Sequence, residues 1–498
     1  MAKKEIYVVQ EGMYWGEVQL ACQDAVVQVF AQVAGFNWQE PYKVEEQYEN
    51  RGSGFLIDEN GYFVTNAHVV DEAKFIWVYM PALGRQPLYA EIVGVSPIQD
   101  IALLRLKEKS LQAVRRQLNK TPYLEFGNSD NLQNTEGVLA LGYPMGQHRL
   151  KSTTGIVSGR ETVFDRSFIQ ITTPINPGDS GGPVLNAQGK VMGIITAAMQ
   201  HSNSIGYAIA INDLRIILDE LHVTKLLRKP FLGTAFIYSD DEKARFLHNP
   251  LPSGLYVSKV IAGSLADKAG IRVGDMVYEF DGLPLDAYGE TEVPWSSEKI
   301  SIFDLLARVK IGAEIALVLY RNGARLEKKF SFVYESIFKI RQMYPDYEHI
   351  GYETLGGMVI MELALNHMPL FDEISPELFN YQLPENRLKS RLIITHILPG
   401  SYAHQLSMLG AGDIIQEVNG KKIGTLAELQ KAIFQSVEND FLTIKTELGA
   451  FVVFSLRKLL DDEVRLSQDF VYPMSHTVQQ LYKMVENHDG NDTKKTRK

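Results

Sequence analysis

The chain has a single cysteine, Cys22, in 498 residues. That excludes an internal disulfide and any cysteine-based metal cluster, and a lone Cys reads as a small buried apolar residue. Positive charge is also short: 50 Lys and Arg stand against 60 Asp and Glu, a formal net charge of −10. Phosphate binding relies on clustered cations, so no nucleic-acid partner is expected. No window is long and apolar enough to span a bilayer. The start, Met1 to Gln10, carries Lys3 and Lys4 without a long apolar core behind them, so it is not read as a secretory signal. Taken as the native start it implies a cytoplasmic protein; a trimmed form of an exported protein would fit the same residues. No nucleotide motif is present, and neither a cofactor nor a metal is expected.

What is there is enough apolar sequence, 45%, for sizeable cores, over a length that suggests roughly three domains. The chain is organised around Ile175-Asn176-Pro177-Gly178-Asp179-Ser180-Gly181-Gly182-Pro183. Glycines around a serine let the backbone approach a bound carbonyl closely. Their N–H groups can converge on the oxyanion that forms when a hydroxyl attacks an acyl group. A serine hydroxyl needs a base, and the base needs an orienting carboxylate. Upstream, Tyr62-Phe63-Val64-Thr65-Asn66-Ala67-His68 reads as a strand ending at His68, and Asp100 opens the apolar run Ile101-Ala102-Leu103-Leu104. Each alone is ordinary: a structural histidine, a turn aspartate, a loop serine. Together, in the order His68, Asp100, Ser180, they point to nucleophilic acyl transfer.

Gly178-x-Ser180-x-Gly182 also fits the nucleophile elbow of α/β-hydrolases. That elbow needs a helix directly after the serine, and Gly181-Gly182-Pro183 is a poor helix start. The following residues read as strand, turn, strand, and the elbow would place its acid and histidine after the serine.

These segments resemble the HtrA/Deg (DegP-like) serine proteases, a branch of the chymotrypsin-like fold. The matching pieces are Thr65 to Val70, Asp100 to Leu104, Gly142-Tyr143-Pro144-Met145-Gly146, Ile175 to Pro183, and Ile205-Gly206-Tyr207-Ala208-Ile209. The expected fold is mainly β: a chymotrypsin-like double β-barrel protease domain plus two PDZ-like α+β domains. The layout is an N-terminal arm at 1–15, a protease domain at 16–225, PDZ-like domains at 230–335 and 345–460, and a C-terminal segment at 461–498 ending in a polar, disordered tail. Barrel strands are expected at 25–33, 52–58, 75–79, 89–95, 101–106, 137–143, 153–160 and 169–173. A surface loop or short helix is expected at 107–120, and a helix N-capped by Asp213 at 213–221.

The PDZ assignment rests on an internal repeat. Gly254 to Ala266 leads to Ala269-Gly270-Ile271-Arg272-Val273-Gly274-Asp275, and Arg391 to Ala403 leads to Leu409-Gly410-Ala411-Gly412-Asp413. PDZ domains add a peptide strand to a sheet edge and take its carboxylate on backbone N–H groups. In the first unit that loop would be Phe231-Leu232-Gly233-Thr234, with Leu232, Gly233 and Thr234 binding peptide. In the second it would be Leu355-Gly356-Gly357-Met358, with the insert 362–390 covering the groove. The second unit is read either as a docking and assembly module or as a peptide reader.

The resemblance implies an ATP-independent endopeptidase for unfolded or damaged proteins. Ser180 would be the nucleophile, His68 the base, Asp100 its orienter, and Gly178 and Ser180 the oxyanion hole. Ile175 and Met199 would line a pocket for small or medium aliphatic side chains. It also implies a homo-oligomer, a trimer or multiple of trimers, with Tyr14 and Trp15 either packing trimers or docking on their own domain. One departure is Asp179, where most of the family has Asn; an unpaired buried carboxylate is costly, so it is expected to face a cation or hydrogen-bond donors. The alternatives are a chaperone or PDZ scaffold with a mostly disordered site, and an esterase built on a parallel sheet.

Overall fold

The computed structural model describes residues 14–495 apart from 164–165, 197–204, 297 and 372, without the side chains of 377 and 487–495. Short β-branched strands close into two antiparallel barrels of six strands. The first contains β1 (Val26–Val33), β2 (Tyr48–Leu56), β3 (Tyr62–Thr65), β4 (Ala73–Tyr79), β5 (Leu88–Ser96) and β6 (Ile101–Leu106), in the order β1-β2-β3-β6-β5-β4. The second contains β7 (Gly137–Gly142), β8 (Lys151–Val163), β9 (Arg166–Ile171), β10 (Pro183–Leu185), β11 (Val191–Thr196) and β12 (Gly206–Ala210), in the order β10-β11-β12-β9-β8-β7. Closure leaves no sheet edge. Phe55, Val64, Ile101 and Leu103 from the first barrel share a core with Leu139, Leu141, Leu185 and Ile194 from the second.

Three helices frame the barrels. Helix α1 (Trp15–Cys22) buries Val18 and Cys22 in the shared core. Trp15 packs on Gly137, whereas Tyr14 is 79% exposed. Trp15 thus docks on its own domain. Burial raises the pKa of the Cys22 thiol, which donates to the Gly189 carbonyl. Helix α2 (Glu108–Leu118) is amphipathic, with Leu111 and Val114 buried one turn apart and Arg115 and Arg116 in its last turn, where cations favour the helix dipole. Helix α3 (Ile211–Val223) begins before the expected position. Its N-cap is Ala210, not Asp213, which lies in the first turn. Asp213 is drawn inward instead: burial pushes its carboxyl up to about 6 against the pull of Arg308, Arg160 and Arg166.

The chain divides into two compact units, residues 1–33 with 47–335 and residues 34–46 with 336–498. The first unit adds to the barrels a sheet of strands Thr234–Ile237, Leu255–Val260, Met276–Phe280, Glu314–Arg321 and Ala324–Ser331, with Thr234–Ile237 at its edge. Helix Ile302–Arg308 packs beside it, and Arg308 Nη1 donates to Asp130 Oδ1 at 2.9 Å, tying this domain to the second barrel.

The second unit repeats the plan with one strand more. Its sheet runs Tyr352–Leu355, Met358–Glu362, Leu392–Ile397, Ile414–Val418, Phe441–Thr446 and Phe451–Ser455. Its core extends past residue 460: Leu456, Leu459 and Leu460 of helix Leu456–Asp469, and Val478 and Leu481 of helix His476–Lys495, pack with Ile394 and Phe454. That last helix carries the backbone through Lys495, into the stretch expected to be disordered. The insert 362–390 forms short helical turns whose Leu363, Met368, Phe371 and Leu378 pack with Ile393 and Ile414.

Candidate active site

Strand register builds the first half of the site. β3 and β6 are antiparallel with Thr65 opposite Ala102, so the residues just after β3 and just before β6 emerge side by side. His68 lies on the turn Ala67–Val69 directly after β3, and Asp100 directly precedes β6. His68 Nδ1 is 2.9 Å from both carboxylate oxygens of Asp100, and the His68 backbone N–H donates to Oδ1 at 3.0 Å. A carboxylate can only accept here, so Nδ1 carries the proton and Nε2 is left as the basic nitrogen. Asp100 is 8% exposed, whereas the His68 side chain is 46% exposed. Thr196 Oγ1 donates to Asp100 Oδ2 at 3.2 Å, and Asn66 Nδ2 donates to the Asp100 carbonyl at 2.9 Å. Asp100 has φ +55°, a left-handed conformation uncommon outside glycine and sparsely populated residues at functional sites.

The serine loop leaves β9 and returns in β10 at Pro183. Ser180 is 3% exposed. Gly181 has φ +88°, and a methyl group there would fall 2.1 Å from the Ser53 carbonyl oxygen, so only glycine fits. Gly178 has φ +100°; its carbonyl accepts from Ser53 Oγ at 2.7 Å, and its N–H donates to no acceptor among the described residues.

β2 joins the two halves. The Ser53 N–H donates to the Ser180 carbonyl at 2.8 Å, and Ser53 Oγ accepts from the Tyr143 N–H at 2.9 Å. Asn50 Nδ2 donates to the carbonyls of His68 at 3.0 Å and Val69 at 3.1 Å. Gly52 lies between them: a methyl there would stand 2.7 Å from Val69 and 3.1 Å from the Ser180 carbonyl oxygen. The His68 turn and the Ser180 loop therefore meet on one strand. Asn50, Ser53, Asn66 and Thr196 were not picked out from sequence. The small triplet Gly52-Ser53-Gly54 was the available signal for close backbone approach.

Asp179 does not meet a cation among the described residues. Its Oδ2 accepts one backbone N–H, that of Asn176, at 3.0 Å, and burial pushes its carboxyl up to about 6. Ile175 is half-buried against Gly206 of β12. Met199 lies outside the described residues.

In the first repeat, Leu232 is buried, Gly233 has φ +85°, and Thr234 opens the edge strand. Among the described residues the N–H groups of Leu232 and Gly233 donate to no acceptor, and the buried Thr234 Oγ1 has no hydrogen-bond partner. A cleft of about 240 Å³ opens beside them, walled by Phe231, Phe236, Phe303, Leu306 and Phe332. In the second repeat the same loop is spent. Gly233 closes on Ser264 as Gly357 closes on Ser401, and the carbonyls of Gly233 and Gly357 accept from Ile261 at 2.8 Å and Leu398 at 2.7 Å. Yet Gly356 and Gly357, with φ +59° and +85°, form a two-residue hairpin turn, and strand Tyr352–Leu355 pairs along the edge. The insert 362–390, expected to cover the groove, does not pair at that edge; the preceding strand does. Glu463 Oε2 accepts the Gly356 N–H at 2.6 Å, and its Oε1 accepts from the Tyr472 hydroxyl at 2.7 Å.

The chain matches the trypsin-like peptidase domain family over residues 52–194 and PDZ domain families over 256–293 and 370–445. It is 29% identical over 396 residues to a probable periplasmic serine endoprotease DegP-like of Marinomonas sp. (strain MWYL1), covering 77% of this chain and 74% of that protein. It is 34% identical over 285 residues to the protein of the same name from Chlamydia muridarum (strain MoPn / Nigg), covering 56% and 52%. Among solved structures, the HtrA-type protease AlgW with decapeptide superposes with a TM-score of 0.50 at 23% identity, over 65% of this chain and 99% of that one, a likeness of fold. The cytoplasmic location expected from the N-terminus is overturned by these relatives, whose names are periplasmic and point to a periplasmic or exported protein. With its two barrels and its peptidase and PDZ matches, the chain is a serine endopeptidase that joins a trypsin-like peptidase domain to two PDZ domains and is similar to the DegP-like serine endoproteases.

Proposed function

We propose that Ser180, His68 and Asp100 are the catalytic triad of this endopeptidase. Ser180 Oγ attacks the scissile carbonyl while His68 Nε2 takes its proton. His68 then gives the proton to the leaving amine, and water hydrolyses the acyl-enzyme by the same route. Asp100 holds the imidazole tautomer and supports the imidazolium. The N–H groups of Gly178 and Ser180 receive the oxyanion. The observation that carries this reading is the pairing of His68 Nδ1 with both Asp100 oxygens at 2.9 Å, on a turn that shares β2 with the Ser180 loop.

The substrates are unfolded or damaged polypeptides, cleaved without ATP, with Ile175 and Met199 favouring small or medium aliphatic side chains. Leu232, Gly233 and Thr234 of the first PDZ domain hold the C-terminus of a peptide added along strand Thr234–Ile237. The second PDZ domain, with its edge and loop occupied in cis, is not a peptide reader. Exposed Tyr14 serves a homotrimer or a multiple of trimers, which sedimentation of a Tyr14→Ala variant would test.

Labelling with a fluorophosphonate probe, with casein cleavage alongside, tests the triad. Mass spectrometry should place the adduct on Ser180, and Ser180→Ala should lower casein cleavage about 10⁴-fold or more. An adduct elsewhere, or casein cleavage surviving in Ser180→Ala, rejects the assignment.

A further inference from the structure

The loop between β1 and β2 departs from the barrel that carries it. Residues 34–46 belong to the same compact unit as the second PDZ domain. Three sets of contacts hold them there. Phe36 and Trp38 stack edge to face, with centroids 4.9 Å apart, and pack on the cluster of Met361, Met368 and Phe371. His367, 0% exposed, stands perpendicular to Trp38 at 5.1 Å. The His367 Nδ1 accepts the Ala364 N–H at 3.0 Å and its Nε2 has no hydrogen-bond partner among the described residues, so the ring edge of a neutral imidazole meets the indole. Thr395 Oγ1 donates to the Gln39 carbonyl at 2.9 Å, and Glu40 lies 3.8 Å from His396. Tyr42 packs at 5.2 Å from Tyr472, the tyrosine that holds Glu463, and at 6.4 Å from Tyr352, on the strand that fills the groove.

The loop runs straight into β2, which starts at Tyr48 and carries Asn50 and Ser53. Pairing between β1 and β2 extends to Val33 and Tyr48, the mouth of the loop. A loop anchored at its aromatic residues keeps that mouth closed. A released loop adds freedom to the first residues of β2, where the N-terminal end of the strand is exposed. Asn50 is among them, and its side chain fixes the two carbonyls of the His68 turn.

We propose that the second PDZ domain is the receptor for this loop of its own chain, and that docking makes Asn50 a positioning residue for His68. The domain's role is then to hold the active-site strand in register. The proposal rests on the triad reading above, since it assigns a consequence to moving His68.

The test uses the full chain with three variants. In a Ser180→Ala background, limited trypsin cleavage after Lys43 reports loop release. In the active protein, peptide turnover and fluorophosphonate labelling report the site. Trp38→Ala should speed cleavage after Lys43 about tenfold and lower kcat about tenfold with KM within about twofold. Trp38→Phe, which keeps an aromatic ring against His367, should restore most of both. Asn50→Ala should lower kcat similarly while leaving cleavage after Lys43 unchanged. Faster cleavage after Lys43 in Trp38→Ala with unchanged kcat and labelling would overturn the positioning role. Unchanged cleavage would overturn the docking. Wild-type protein that takes no label at Ser180 would instead reject the triad, and the trypsin arm would still decide whether the loop is docked.

Discussion

The two PDZ domains are built alike around one loop and leave it in different states. Gly233 and Gly357 occupy equivalent places, each closed on a serine at the start of the next turn and each accepting the same kind of backbone N–H. In the first domain the N–H groups of Leu232 and Gly233 donate to no acceptor among the described residues, and strand Thr234–Ile237 ends the sheet beside an aromatic cleft. In the second the edge holds strand Tyr352–Leu355, and the carboxylate of Glu463 sits on the loop. The difference teaches that a recurring fold need not present a recurring binding site, because one edge and one loop can be open or filled.

The largest effect should come from emptying the occupied loop. Glu463→Ala strips the Gly356 N–H and the Tyr472 hydroxyl of their acceptor and leaves a hole in the core. The second unit should lose about 3 kcal/mol, read by chemical denaturation. Glu463→Gln, which can still accept one bond and donate the other, should cost about 1 kcal/mol. If the Ala variant were as stable as the parent, the two loops would differ in appearance only.

The open loop should fail in a different way. Gly233→Ala places a methyl 2.0 Å from Ser264 Cβ at φ +85°, so the loop must shift. Affinity for a C-terminal peptide should fall more than about thirtyfold, near 2 kcal/mol, in a calorimetric titration. Retained affinity would move the peptide site elsewhere.

A second buried carboxylate sharpens the contrast. Glu463 is met by the Tyr472 hydroxyl and the Gly356 N–H, whereas Asp179 has the Asn176 N–H. Burial raises the Asp179 carboxyl to about 6, above its unfolded value. The folded state is thus favoured at low pH, and that advantage is lost as pH rises through about 6. Asp179→Asn should match the parent at pH 4 and be more stable by about 1–2 kcal/mol at pH 8, discounted for its partial exposure. A constant difference across that range in thermal unfolding would show that the carboxyl does not titrate there.

The smallest effect should be Phe303→Ala in the cleft wall, weakening peptide binding about fivefold, near 1 kcal/mol. No change would remove Phe303 from the peptide pocket.

Much of the site was legible because it is written locally. Gly178, Gly181 and Gly182 flank Ser180 where backbone approaches backbone, and β3 and β6 deliver His68 and Asp100 as adjacent strand ends. The repeat was visible because equivalent turns need equivalent glycines. What escaped depends on distant pairing. Nothing near Glu463 announces a loop a hundred residues earlier, and Tyr352–Leu355 looks like any short strand until its partner is known. The aromatics Phe36, Trp38 and Tyr42 read as part of a polar loop because their partners lie in another domain. The local sequence of Asp213 suits a cap; it does not show that Arg160 and Arg308, far away in the chain, lie near enough to pull on its carboxyl.

The stoichiometry of peptide binding tests the asymmetry most directly. Full-length Ser180→Ala protein would be titrated with an aliphatic-ended peptide bearing a free C-terminal carboxylate, and with its amide-capped twin. One peptide per chain is predicted, lost on capping and in Gly233→Ala. Two peptides per chain would contradict the filled second domain, and none would contradict the open first.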